Sequence, residues 1–258
     1  MMTALPFHEG EFGMWDCNDK IFSQFSSQPV DDTIERIEEL EVEPFVALRE
    51  NARTISFKLE PIADFVLIKE TKIELDLQVT DSAGQDIDPP RAANAEANPP
   101  VTAYASCGFD QMPSSSIIRT VDVRLNDTSV SSNDLHYAES AYILAILGMD
   151  KNSLDSKFEV AGFFMESNPD DTDMLKPGSG FMKRGKKSNG SDVYKVSSAI
   201  WSPLFCQPKA MLPMVKLSVT FQLHEPNFVL KSGVAGGTFD YKIKGAKLIF
   251  QRLKVISL

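Results

Sequence analysis

The residues that could do chemistry are few, and they do not converge. Gly180-Phe-Met-Lys-Arg-Gly185-Lys186 spells G-x-x-x-x-G-K, the spacing of a loop that cradles phosphate with backbone N–H groups. Lys187 stands where a magnesium-binding Ser or Thr belongs, nothing strand-like precedes the segment, and Ser-Asn-Gly-Ser after it cannot open a helix toward a phosphate. The segment reads instead as a solvated basic loop. Lys183, Arg184, Lys186 and Lys187 are its candidate basic patch, for a nuclear-import address or a phosphate contact. His8, His136 and His224 lie far apart, and none belongs to an H-x-H or H-E-x-x-H pattern. A metal-binding cupin would need a close His pair plus a carboxylate. His136 and Glu139 share a helical face and read as a surface or core-edge pair. There is no G-x-S-x-G elbow; Gly178-Ser179-Gly180 falls in the same polar stretch. We expect no catalytic residue, no cofactor and no metal.

Cys17, Cys107 and Cys206 are an odd set without a C-x-x-C pair, which points to reduced, structural thiols rather than a disulfide framework. The N-terminal MMTALPFHEGEFGMWDC lacks a basic region followed by an apolar one, so no secretory signal is expected. No apolar run approaches the ~18 residues of a membrane span. Two glycosylation sequons, at Asn126 and Asn189, therefore read as turns. The net charge of −10 argues against nucleic-acid binding over the whole surface. With 43% hydrophobic and 24% charged residues in 258, the chain is ordinary globular composition and can bury a sizeable core.

The elements that must position these residues centre on Ile117–Leu147. In its first half Ile117, Val121, Val123 and Leu125 share one parity, while Ile118, Thr120, Asp122 and Arg124 share the other, as in a half-buried strand. Arg119 breaks the apolar parity and is expected near the strand's end. Asn126-Asp127 supplies turn chemistry. The period then changes. Leu135, Ala138, Tyr142, Ala145 and Ile146 recur at three- and four-residue steps, making one helical stripe, with Ser132 or Asn133 as cap and Gly148 as stop.

Residues 1–42 read as an N-terminal arm. Phe7, Phe12, Trp15, Phe22 and Phe25 follow no period, and Ile34, Ile37 and Leu40 allow a helical turn or two. The arm is either a partly ordered tail or a docking segment for a neighbouring molecule. From residue 43 to 258 we expect a single domain. Thr54–Leu59 and Lys72–Thr80 alternate cleanly, the second with Ile73, Leu75, Leu77 and Val79 inward before an Asp81–Gly84 turn. Gln85–Pro100 is a proline-rich loop, and Val101–Cys107 a further strand. The helical insertion spans about 133–164, with Leu154, Phe158 and Ala161 or Gly162 aligned, and a flexible basic loop spans about 165–191. Strands resume at Asp192–Trp201, Met214–Leu223, Asn227–Leu230 and Phe239–Val255, the last with a bulge after Gly245. No strand–helix–strand alternation appears. The fold class is all-β: an antiparallel, eight-stranded jelly-roll sandwich with a helical segment inserted in one long connection. Its expected core is Ile73, Leu75, Leu77, Val121, Val123, Leu125, Leu217, Val219 and Phe221.

The order of segments resembles a family. IFSQFSSQPVDDTI (Ile21–Ile34) is similar to an opening Phe…Pro…Thr-Ile segment, and FVLIKETKIELDLQV with Asp81…Gly84 to a strand pair closed by a D-G turn. TVDVRLNDTSVSS resembles a central strand with its Leu-Asn turn, and Tyr137…AYILAILGM a tyrosine-rich helix. VKLSVTFQLHEPNFVL and YKIKGAKLIFQRLKV are similar to the last three strands. Over roughly residues 21–256 the pattern is that of the N-terminal jelly roll of the double jelly-roll major capsid proteins of Polinton (Maverick) elements and adintovirus-like viruses, without a short invariant motif.

The resemblance implies a structural protein that self-assembles, through homotrimers that present six jelly rolls as a pseudo-hexagonal capsomer. Its partners would be itself and other capsid proteins, with no membrane and no nucleic-acid contact except through residues 183–187. It would reside in the virion, made in host cytoplasm, with the nucleus as a site of assembly. Candidate assembly contacts are Trp15, Phe22, Phe25, Tyr137 and Tyr142. The family continues into a second jelly roll where this chain stops at Leu258, so a split or truncated gene, a minor capsid component and a domesticated remnant all stay open. The alternative function is a non-catalytic jelly-roll binding module that recognises a carbohydrate or a protein; an enzyme of cupin type fails on histidine spacing.

Overall fold

Strands β1 (Ile34–Val42), β2 (Thr54–Leu59), β3 (Phe65–Asp81), β5 (Ile118–Leu125), β6 (Thr128–Ser129), β7 (Tyr194–Ala199), β8 (Leu217–Leu223) and β10 (Phe239–Val255) build two four-stranded antiparallel sheets in a computed structural model of the chain. The strand orders are β1-β10-β3-β7 and β2-β8-β5-β6, and β4 (Cys107–Phe109) pairs separately with β9 (Leu230–Ser232). Four helical segments complete the description: α1 (Pro113–Ser116), α2 (Tyr137–Gly148), α3 (Gly180–Ser188) and α4 (Pro226–Val229). The structure describes residues 34–49, 52–87, 107–130, 136–148, 158–164, 178–188, 191–232 and 237–255. Apart from the β5–β6 hairpin and the small β4–β9 pair, the chain changes sheet from one strand to the next, which is jelly-roll topology.

The core lies between the two sheets because each strand turns one parity inward. Ile55, Phe57 and Leu59 of β2, Ile73, Leu75, Leu77 and Val79 of β3, and Leu217, Val219 and Phe221 of β8 are all buried. Val121 and Val123 of β5 are buried with them, and Leu125 packs half-buried at the rim. Phe57 and Phe221 meet edge to face, with ring centroids 5.9 Å apart. Burying each such side chain is worth roughly 1.5–3 kcal/mol.

Arg119 is the extra residue of a bulge: Ile118 pairs with Leu223 and Thr120 with Gln222, so the arginine swings out to solvent. Asn126 and Asp127 both have positive φ, 47° and 65°, as a two-residue hairpin turn requires. In β10 the register shifts between Ile243 and Gly245, so the buried parity passes from Tyr241 and Ile243 to Ala246, Leu248 and Phe250. A Cβ at Gly245 would stand 2.8 Å from Asp76 Oδ2, so a larger residue there would make the Asp76 carboxylate turn aside.

Four expectations are corrected. Ile34–Val42 is a strand, not helical turns of an arm; it forms the edge next to β10, with Leu40 opposite Phe250 and Val42 opposite Leu248. Cross-strand pairing overrides the three-residue spacing, and Glu41 is held by Lys247 at 2.8 Å. Residues 1–33 of the expected arm, Leu154 and residues 88–106 fall outside the described residues. Phe158–Gly162 is a turn rather than helix: Ala161 N–H and Phe163 N–H both donate to the Phe158 carbonyl at 3.0 Å, and Gly162 takes φ +82°. The polar 165–191 stretch contains helix α3, started by Ser179 Oγ accepting from Met182 N–H at 3.2 Å. Finally, Pro226 opens a helical turn, so the short strand after it begins at Leu230 instead of Asn227.

Candidate interaction surface

Because the strands alternate between sheets, the links 43–53, 82–117, 130–193 and 224–238 leave from one end of the sandwich. The short links 60–64 and 126–127, and the longer 200–216, leave from the other. All four helical segments lie in the first group. That end is fastened by Tyr241, whose hydroxyl donates to the His224 carbonyl at 2.5 Å. Arg53 lies 4.4 Å over the Tyr241 ring and reaches Asp240 Oδ1 at 2.6 Å.

The G-x-x-x-x-G-K segment holds no phosphate cradle. Gly180 begins α3, Gly185 is buried within it, and Lys183 N–H donates to the Ser179 carbonyl at 3.1 Å, so these backbone donors serve the helix. Lys183, Lys186 and Lys187 are exposed, the last 3.3 Å from Glu159. Arg184 departs from the expected patch. It is only 5% exposed, donates through Nε to the Phe109 carbonyl at 2.8 Å, and hydrogen-bonds Gln111 Oε1 through Nη1. Gln111 in turn binds the Phe164 backbone through 2.6 and 3.1 Å bonds, so one arginine joins α3 to β4 and the Phe158–Phe164 turn. Burial pushes the neighbouring Tyr194 phenol up to about 12, with Arg184 pulling the other way.

His8 falls outside the described residues; His136 is exposed, and His224 stacks on Phe228 with centroids 3.8 Å apart. Burial holds His224 below its usual value against the pull of Glu139 from α2. Among the described residues no group of three His, Cys, Asp or Glu side chains could hold a metal ion. Cys107 is buried, with burial pushing its thiol up to about 12, and Cys206 is exposed; both are free thiols. An open cleft of about 250 Å³ on the outer face of the first sheet is lined by Glu43, Glu74, Asp76, Lys195 and Lys247. Its charges pair across it, Lys195 with Asp76 and Lys247 with Glu43, each at 4.0 Å.

Helix α2 presents a different surface. Tyr137, Ala138, Ala141 and Ala145 face inward, packing on α1 and β5, and Ala145 joins Met112 and Phe163 in a small second core. Tyr137 is 2% exposed and its hydroxyl accepts from Trp201 N–H at 3.0 Å, so this candidate contact belongs to the interior. Tyr142 lies at the rim, its ring 6.3 Å from Phe163. Trp15, Phe22 and Phe25 fall outside the described residues. The inward stripe is thus rotated from the expected one, and Tyr142, Ile143, Leu144, Ile146 and Leu147 all remain exposed. Ile143, Leu144 and Leu147 were not among the candidate contacts. Their signal was legible all the same: in YAESAYILAILG a helix apolar on every side has one face too many for a single core.

The sequence matches no protein-family model and no curated protein. Solved structures do match. A chain in the 3.5 Å cryo-EM structure of the Sputnik virophage aligns over 99% of this chain and 53% of its own length, with TM-score 0.57 and 12% identity. The mavirus major capsid protein aligns over 90% of this chain and 49% of its own, with TM-score 0.47 and 12% identity. The Faustovirus major capsid protein aligns over 90% and 56%, with TM-score 0.47 and 9% identity. The chain spans about half the length of the structures it matches. The fold is shared with the Sputnik chain, at 12% sequence identity.

Proposed function

We propose that this chain is a building block of a viral shell, a jelly-roll brick that assembles with copies of itself and with other capsid proteins in a virion. The observation that carries the reading is the alternating strand order, β1-β10-β3-β7 over β2-β8-β5-β6, matched along 99% of the chain by a virophage protein. The physical form suits the role. A sandwich with a continuous buried core is rigid, and its links gather contact surface at one end.

The finer reading follows the resemblance to Polinton, Maverick and adintovirus-like capsid proteins. The chain supplies one jelly roll of a capsomer, trimers are its unit of assembly, and a second jelly roll comes from the remainder of a longer protein or from a separate chain. It is made in host cytoplasm and assembled in the nucleus, and it makes no nucleic-acid contact except through the 183–187 segment, where Lys183, Lys186 and Lys187 face solvent. We assign it no catalytic residue.

Sedimentation velocity and negative-stain microscopy of the full chain test the proposal, alone and mixed with a candidate second jelly-roll protein. Oligomers of defined size, or shell fragments, are expected. A chain that stays monomeric at high concentration in both samples, or a specific hit on a glycan array, would sink the proposal in favour of a binding module.

A further inference from the structure

We infer that the Ala141–Gly148 half of α2 packs against the same helix of a second copy of this chain, an inference that rests on the assembly reading above. The exposed residues stack in i, i+4 pairs, Tyr142 with Ile146 and Ile143 with Leu147, and Leu147 is 80% exposed. At 100° per residue, Tyr142, Ile146, Ile143, Leu147 and Leu144 sweep an arc of about 200°, against about 100° for the inward residues. Five part-exposed apolar side chains make a patch on the order of 500 Å², in the range of roughly 300–600 Å² for the largest apolar patch of ordinary monomers. With a polar rim added, it matches the apolar centre of an interface burying about 800 Å² on each partner.

Charge selects the occupant. The chain carries a net charge of −10, so two copies repel over most of an ordinary approach. The last two turns of α2 carry no charge at all, and the helix's one acid, Glu139, lies in its first turn. An uncharged apolar ridge can pack on the same ridge of other copies around a symmetry axis, two-fold or three-fold, without bringing like charges together. At about 18 Å the helix is too short for a bilayer core of roughly 30 Å, and among the described residues no helix is long and apolar enough to cross a membrane.

The test is sedimentation equilibrium of the full chain carrying I143E/L147E, with L212E as control; Leu212 is also exposed, in the link between β7 and β8 at the far end of the sandwich. The helix variant should raise the apparent dissociation constant at least 100-fold with an unchanged circular-dichroism melt, while L212E stays within about 3-fold of wild type. Independently of how the glutamates are tolerated, L147C in a C17S/C206S background should cross-link between copies with a short bis-maleimide, and L212C in the same background should not. Wild type that associates while I143E/L147E associates equally well, or L147C that fails to cross-link within oligomers, overturns the helix contact and leaves the assembly reading standing. Wild type that never associates, alone or mixed with a second jelly-roll protein, overturns both. Association lost equally in L212E also overturns the helix assignment, as would binding of monomeric wild type to lipid vesicles through this face.

Discussion

The Tyr241 hydroxyl donates a 2.5 Å hydrogen bond to the His224 carbonyl, tying the first residues of β10 to the end of β8 across the two sheets. The ring is fully buried and capped by Arg53. Tyr241→Phe keeps the packing and orphans a carbonyl, so it should destabilise the fold by roughly 1–3 kcal/mol in urea melts.

The same residue sets an alkaline limit. Burial pushes the Tyr241 phenol up to about 12, from about 10 in an unfolded chain. A raised folded value means the neutral form is favoured by folding. The contribution is complete below about pH 10 and is lost as pH climbs toward 12. Tyr194, also pushed up to about 12, adds to the same window. Unfolding free energy measured from pH 8 to 12 should therefore fall above 10, less steeply in Tyr241→Phe. A flat profile in the wild type would contradict the burial of both phenols.

Phe221 sits at the middle of β8, between β2 and β5, opposite Ile55 and Val121. It has no exposed surface and shares an edge-to-face contact with Phe57. Phe221→Ala should cost roughly 3–5 kcal/mol, the transfer loss plus an unfilled cavity between the sheets. Phe221→Leu should recover more than half of that in the same denaturation experiment.

Gly162 is required by both backbone and space. Its φ is +82°, and a Cβ would sit 2.6 Å from Pro113 Cγ and 2.9 Å from the Tyr194 hydroxyl. Gly162→Ala should destabilise by more than the ~1 kcal/mol of a left-handed alanine, because Pro113 is a ring in α1 with little room to shift. A neutral result by calorimetry would mean that the Phe158–Gly162 turn is not packed on α1.

How much of this was readable beforehand depended on whether a segment's own pattern or its neighbour's decided its shape. β2 and β8 alternate without interruption, so Ile55, Phe57, Leu217, Val219 and Phe221 could be placed inward from parity alone. β3 could be read only from Lys72, because its first residues use the opposite parity. Val66 and Ile68 point inward, the register then slips opposite Phe250, and Thr71 and Ile73 resume on odd positions. β1 is an edge strand with mostly exposed side chains, and its identity comes from β10 rather than from itself. Of the candidate contacts on α2, Tyr142 is exposed and Tyr137 is buried, for a related reason. Three- and four-residue spacing reports a helix, but where nearly every residue is apolar it cannot report which side faces the core, so the pattern does not separate buried Tyr137 from exposed Leu147.

The basic segment shows the same limit, and its prediction separates the two roles it contains. Charge counting groups Lys183, Arg184, Lys186 and Lys187 together, yet the helix turns Arg184 inward to the Phe109 carbonyl while the lysines face solvent. Arg184→Ala removes charge-assisted hydrogen bonds from a buried junction and should destabilise by roughly 1.5–3 kcal/mol. Lys183→Ala and Lys186→Ala, on the exposed side, should stay within about ±0.5 kcal/mol. Amide hydrogen exchange over residues 180–188 should accelerate in the arginine variant and not in the lysine variants. If the lysines instead carry a nucleic-acid contact, their double variant should weaken binding to DNA and flatten its salt dependence, while stability is unchanged. Equal exchange rates in all three variants would show that α3 is held without the Arg184 hydrogen bonds.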